Sequence, residues 1–287
     1  MTTVVVIAIY LGLLLALALF SKTLFRGTAN DYFVASHSIG PFMLLMSVFG
    51  TTMTAFALVG STGEAFSRGI GTYGLMASSS GLIHAACFLL IGIKLWAIGK
   101  RYGYVTQIQY FRARFESKSF GYLLFPILVL LVIPYLLIGI IGASKTIAGV
   151  TSEKLKPNGD LIAPGVFPDW THNGAIPPWF TGLVISAVVL TYIFAGGSRA
   201  AAWANTFQTI VFMIMGVLAF YLISERLGGV GAAIEQAKDS HKVRTVSGDG
   251  HVGVSQITFL SYMFIPLSVG MFPHLFQHWL TAKSAKS

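Results

Sequence analysis

The sequence predicts an all-α polytopic membrane protein with about seven transmembrane helices. Three observations predict it. Of 287 residues, 55% are hydrophobic and only 10% are charged, against about 25% charged in average soluble domains. Seven apolar runs fall at 3–20, 40–60, 72–98, 119–149, 179–195, 207–223 and 255–272, near the roughly 20 helical residues that cross a hydrocarbon core. The charge between these runs is one-sided. With loops alternating from an outside N-terminus, the inside set holds eleven bases, among them Lys22, Arg26, Lys100, Arg101 and Arg199, and two acids, Asp31 and Glu116. The whole net charge of +9 lies there, because the outside set holds eight of each sign. An excess of Lys and Arg marks the cytoplasmic side. The N-terminus is expected outside and the C-terminus of this chain inside, in the plasma (inner) membrane. Orientation accounts for the basic charge, so no nucleic acid is expected. The composition excludes an ordinary soluble enzyme, a disordered chain and a coiled coil. A lone Cys87 excludes an internal disulfide framework and a Cys-rich metal site.

The first run opens MTTVVVIAIY and has no basic n-region, so it reads as a helix rather than a signal peptide. The second holds Gly50, Thr51, Thr52 and Thr54 at its middle. Gly weakens a helix by about 1 kcal/mol against Ala. Irregular backbone survives in lipid only against protein or a water-filled cavity. The hydroxyls either line a polar path or belong to a close helix–helix contact. Just beyond, Glu64 and Arg68 are spaced to pair, as an external gate or as a solvated pair. The third run carries Ser78, Ser79, Ser80 and His84. Intramembrane His is a functional hypothesis by default, and the serine cluster favours an interhelical hydrogen bond.

Between the third and fourth runs, Thr106 followed by Gln109 is a capping-box spacing and predicts a short inside helix over 105–115. The Pro-, Gly- and Asp-rich stretch 150–178 reads as an outside loop. In 225–254, Leu227, Ala233, Ile234 and Ala237 suit an interfacial amphipathic helix or a solvated loop. The seventh run contains Pro266, Ser268, Gly270 and Pro273, which predict a broken or kinked helix. Carbonyls freed at such breaks hold small cations, and half-helix ends meet substrates. No H-x-x-x-H, phosphate loop, Ser-His-Asp order or intramembrane carboxylate pair appears, so no enzyme is expected.

The most specific string is GGSRAAAWANTFQ at 196–208. It resembles the signature loop of the sodium:solute symporter family, which includes proline, pantothenate and sugar symporters. Gly196, Gly197, Trp203 and Gln208 match. The family's Thr-Asp pair is replaced by Ala204 and Asn205, so a carboxylate is lost. DYFVASHSIGPF (31–42), GSTGEAFSRGIG (60–71), TQIQYFRARF (106–115) and FPHLFQHWLTAKS (272–284) resemble further family stretches in the same order. His278 stands where the family commonly has Arg.

The resemblance implies the N-terminal part of a five-plus-five inverted-repeat core. Residues 1–25 would be a leading helix, 38–224 the first repeat and 255–287 the start of the second. The family has about five further helices, so the chain is expected to be an N-terminal portion. The implied function is sodium-coupled uptake of a small organic solute by alternating access. Sodium is the coupling ion, and no other metal or cofactor is expected. The matching sodium positions are the backbone carbonyls of Gly50 and Met53; the other ligands come from a core helix beyond this chain. Thr52, Thr54, Phe56, Tyr262 and Ser268 are the expected substrate pathway. Two alternatives stand beside transport: a symporter-like sensor domain of a signalling protein, and a non-transporting fragment.

Overall fold

The structure is a computed structural model that describes residues 2–53, 56–69, 71–75, 80–156, 159–167, 171, 173–237, 255–270 and 272–284. Thr54, Ser78 and Ser79, and the side chains of Phe56 and Arg68, lie outside the described set.

Helix α1, Thr2–Thr23, is the first predicted span. Thr28 caps α2, Ala29–Val34, by accepting the Asp31 N–H at 3.1 Å. A left-handed turn follows at Ala35, Ser36 and His37, with φ of 48°, 50° and 52°. The fixed φ of Pro41 suits the start of α3, Pro41–Thr52. This second span then breaks, resuming as a π-helical turn, Phe56–Gly60, and α4, Ser61–Arg68. After a single turn, α5 (Gly71–Tyr73), the third span runs through α6, Ser80–Cys87, a π-helical turn, Phe88–Gly92, and α7, Ile93–Tyr102. Gly103, left-handed at φ 72°, ends it.

The predicted inside helix is α8, Gln107–Arg114, and both halves of its capping box are formed. Helix α9, Lys118–Thr151, is 34 residues long with Pro126 and Pro134 inside it. The 150–178 stretch contains an unforeseen antiparallel hairpin of β1, Lys154–Leu155, and β2, Leu161–Ala163.

Helix α10, Pro178–Arg226, has 49 residues. At 1.5 Å per residue that is over twice the roughly 30 Å hydrocarbon thickness. Gly197, at φ 54° and ψ −141°, leaves the helical region and divides it. The fifth and sixth spans are thus the two arms of α10, joined without an intervening loop. A short α11, Val230–Ala237, carries the predicted Ala233, Ile234 and Ala237 and buries none of them, while Leu227 lies before it as the C-cap of α10. The seventh span is bent by 45° between α12, Gln256–Val269, and α13, Pro273–Thr281. Among the described residues, Thr2–Thr23, Ser80–Tyr102, Lys118–Thr151 and Pro178–Arg226 are long and apolar enough to cross a membrane, and the bent α12–α13 pair adds a fifth candidate.

The two arms of α10 close around α1. Leu14 packs with Tyr192 from the first arm and Ala200 and Ala204 from the second. Small residues let helices approach closely in lipid. Large apolar side chains such as Leu130 and Val217, 65% and 70% exposed, face outward. Apolar exposure on that scale suits a hydrocarbon environment.

All the predicted inside segments converge at one end of the bundle. Arg199 Nη2 donates to Asp31 Oδ1 at 2.6 Å and to Ala35 O at 3.3 Å. Ser198 and Gln277 both donate to the Phe33 carbonyl. His37 meets Leu280 O, Trp96 Nε1 donates to Ala282 O at 2.8 Å, and Lys283 N donates to Ile39 O at 2.9 Å. Burial by itself would raise the Asp31 carboxyl. The Arg26 N–H, Arg199 and Ser36 outweigh it and hold the group below the usual carboxylate range.

Candidate functional site

The break in α3 organises the middle of the molecule. Met53, at φ −79° and ψ 76°, is the first residue past the helix, and its N–H bonds Phe49 O. The last four carbonyls of a helix have no intrahelical partner. Here those are the carbonyls around Gly50 to Met53, and the Thr51 carbonyl accepts Tyr135 OH at 3.1 Å. Gly50 lies at a close approach of α3 to α10. A Cβ there would lie 2.4 Å from Thr209 Oγ1 and 2.8 Å from Asn205 O.

Two cavities flank the break. One of about 660 Å³ lies between α3, α6 and α12 and is lined by Thr52, Met53, Ser80, His84 and Tyr262 among others. The other, about 610 Å³, lies between α3, α9, α10 and α13 and includes Gly50, Thr51, Met53, Tyr135, Asn205 and His278. Met53 lines both. Neither described lining contains Asp, Glu, Lys or Arg.

A neutral polar cluster ties the last turn of α3 to α10 and α13. Thr51 Oγ1 donates to Ser47 O at 2.7 Å and accepts Asn205 Nδ2 at 2.8 Å. It also meets His278 Nε2 at 2.9 Å. Asn205 further reaches Ser47 Oγ at 3.4 Å. His274 stacks on Tyr135 at 4.8 Å, and its Nε2 has no partner among the described residues. Among the described residues no group of three or more His, Cys, Asp or Glu is placed to hold a metal. The donors at the α3 break are carbonyl and hydroxyl oxygens, the type that hard cations take.

The residues expected from sequence separate here. Gly50 and Met53 sit at the break, and Thr52 and Tyr262 line the first cavity. Ser268 is exposed and donates to Ile265 O at 2.8 Å, away from both cavities. In the signature loop, Gly196 and Gly197 form the fold-back of α10. A Cβ on Gly197 would meet Tyr32 O at 2.4 Å. Trp203 packs edge-on against Phe20 at 6.1 Å, Asn205 enters the cluster, and half-buried Gln208 lies outside both cavities. His84 lines the first cavity, and its Nε2 is buried with no partner among the described residues. Sequence reasoning missed Tyr135, Ser47 and Thr209, ordinary residues of apolar runs whose importance comes only from what α10 and α9 bring beside them.

Helices broken in mid-span beside a cavity are a pattern shared with helical membrane transporters. The model of the Sodium:solute symporter family matches residues 32–155 and 179–287. The chain belongs to that family. It is 25% identical over 264 residues to the sodium/pantothenate symporter of Escherichia coli (strain K12), covering 90% of this chain and 49% of that protein. It is 23% identical over 287 residues to the sodium/proline symporter of Staphylococcus aureus (strain JH9), covering 99% of this chain and 51% of that protein. The fold is similar to the outward-open, substrate-bound structure of a Na+-coupled sialic acid symporter. The TM-score is 0.69 at 17% identity, over all of this chain and 54% of that one. The chain therefore spans about half the length of the relatives it matches.

Proposed function

We propose that the chain serves sodium-coupled uptake of a small organic solute by alternating access. The carbonyls of Gly50 and Met53 contribute to the sodium site, and the cavity bearing Thr52 and Tyr262 holds the solute. Residues 1–25 act as a leading helix, 38–224 as the first repeat and 255–287 as the start of the second. The basic end, with Arg199 and the C-terminal segment, faces the cytoplasm.

The observation that carries this reading is the end of α3 at Met53, a residue that borders both cavities. An ion bound at that break changes the relative stability of the arrangements the solute cavity adopts. A ligand shifts such an equilibrium only by its differential affinity. One charge moving down 100 mV supplies about 2.3 kcal/mol to drive the cycle. The named relatives are symporters, and no observation favours a sensor.

Radiolabelled sodium binding to the chain in lipid nanodiscs tests the placement. Gly50→Leu is expected to weaken saturable binding by at least about tenfold, near 1.4 kcal/mol. Met53→Leu keeps its carbonyl and retains binding. Gly216→Leu, where nothing lies within 4 Å, is the control. Unchanged sodium binding in Gly50→Leu refutes the placement.

A further inference from the structure

Where the third span ends, α7 and α8 border a cavity of about 650 Å³ that is both cationic and aromatic. Arg101 and Tyr102 reach it from the last turn of α7, Tyr104 from the connecting turn, and Tyr110 and Arg114 from α8. The rings form a continuous wall. Tyr102 stacks on Tyr104 at 5.7 Å, and Tyr104 meets Tyr110 edge-on at 6.3 Å. The Arg101 guanidinium lies 5.5 Å from the Tyr102 ring centroid, a cation–π contact. Unlike Arg199, neither Arg101 nor Arg114 has an ion-pair partner among the described residues. Orientation in a membrane asks only for bases near this end. It does not ask for two unpaired guanidiniums from different helices in one cavity.

The cavity sits at a membrane boundary. Ser80–Tyr102 and Lys118–Thr151 are both long and apolar enough to cross a membrane, and the cavity lies where the chain leaves the one and before it enters the other. Tyr rings collect at that level. The floor is apolar, with Ala97 and Ile98 of α7. One turn back along the helix Ile93 is 38% exposed, and Leu89 and Leu90 beyond it are both 63% exposed. A cationic head end thus passes into an apolar track that runs toward the middle of the span. Glu116 also lines the cavity, so two guanidiniums share it with one carboxylate, a balance of one positive charge.

We propose that this cavity binds the headgroup of an anionic phospholipid, a phosphodiester of single negative charge, with its acyl chains laid along α7. Each guanidinium presents a fork of N–H donors that matches two phosphate oxygens. The Tyr hydroxyls supply further donors. A basic pocket between membrane helices is the kind of site that takes such headgroups. A phosphate dianion exceeds the charge of the cavity and meets Glu116. A zwitterionic choline headgroup brings a cation to the two Arg, and Arg101 already engages the Tyr102 ring that would receive it.

Native mass spectrometry of the chain in detergent micelles, titrated with dioleoyl phosphatidylglycerol or dioleoyl phosphatidylcholine, tests this. Phosphatidylglycerol is expected to bind at least about tenfold tighter than phosphatidylcholine. Arg101→Gln and Arg114→Gln are each expected to remove most of that preference, and Arg101→Lys, which keeps the charge but not the fork, to retain part of it. Both Arg are exposed, so these variants keep the fold, and circular dichroism checks their helix content. Lys22→Gln removes a base of the same end that does not line the cavity, and is expected to change nothing. Phosphatidylcholine binding as tightly as phosphatidylglycerol overturns the inference. So does an equal loss in Lys22→Gln and Arg101→Gln, which would mean attraction to overall charge rather than a site. Displacement of phosphatidylglycerol by inorganic phosphate at the concentration of the lipid overturns the lipid assignment in favour of a soluble phosphate. Glu116→Gln is expected to improve binding of phosphatidic acid relative to phosphatidylglycerol, and an unchanged ratio overturns the match to a single charge.

Discussion

The basic end of the bundle and the level of the α3 break differ in what their polar groups bond: an ion pair and backbone carbonyls at the one, neutral hydroxyl, amide and imidazole groups beside two cavities at the other. At the basic end the groups bond one another. Asp31 accepts from Arg199, Ser36 and the Arg26 N–H, and the Phe33 carbonyl accepts from both α10 and α13. At the break the helices part around two cavities, and His84 Nε2 and His274 Nε2 are left without partners among the described residues. The interlocked end even bears strain. Ala35, Ser36 and His37 are left-handed, at about 1–2 kcal/mol each. Such a turn persists only where its surroundings over-determine it, and here Asp31, Leu280 and Arg199 all hold it.

The largest effect is expected from Arg199→Ala. Asp31 is fully buried and Arg199 only 13% exposed, so the variant strands a buried carboxylate. Removing one partner of a buried pair costs about 3–5 kcal/mol. Thermal unfolding in detergent checks it, and Asp31→Asn combined with Arg199→Ala should cost less than Arg199→Ala alone, because no charge remains. The same pair sets a pH dependence. The native Asp31 carboxyl lies below its unfolded value, so its contribution is complete above the ordinary carboxylate pKa of about 3.9. It is lost as pH falls through the lowered native value. Arg199→Ala should flatten this acid limb. An equally steep limb would place the acid sensitivity elsewhere.

Gly197→Ala comes next and attacks the same end through the backbone. Its φ of 54° and ψ of −141° lie near a region that only Gly occupies easily, at about 1–3 kcal/mol for other residues. The added Cβ would also stand 2.4 Å from the Tyr32 carbonyl. A loss of about 2–3 kcal/mol is expected by the same unfolding assay, against almost none for Gly216→Ala, where nothing lies near and helix propensity improves.

The contrast between the two regions was only partly legible in the sequence. Apolar run length located the long helices α1, α9 and α10 because lipid leaves the backbone little choice but helix. Pro266 and Pro273 announced the bend in the seventh span, and Gly50 with its threonines announced the break in the second. The joining of the fifth and sixth spans into α10 was not visible, since a Gly-Gly pair signals a turn without saying that both flanks stay helical. Nor was the left-handed turn, because an Ala-Ser-His triplet does not call for three positive φ values in a row; Asp31 and the distant Arg199 and Leu280 make it tenable. Asn205 and His278 drew notice separately as departures from the family pattern. That they meet through Thr51 Oγ1 is a fact of tertiary packing.

The smallest effect sharpens what holds the rim of the basic end. Helix α8 has eight residues, too few to persist alone in water. Two things support it. Thr106 and Gln109 exchange capping bonds, both 3.3 Å, and Tyr110 rests against Phe276 of α13 at 6.0 Å between ring centroids. Losing an N-cap hydroxyl costs about 1 kcal/mol, so Thr106→Ala should lower stability by about that much, and Thr106→Ser by far less. Hydrogen exchange distinguishes the supports. Faster exchange confined to α8 in Thr106→Ala means the cap governs local opening. Exchange unchanged in α8 means that Tyr110, and through it α13, keeps the helix closed, so that α8 opens only when the whole basic end does.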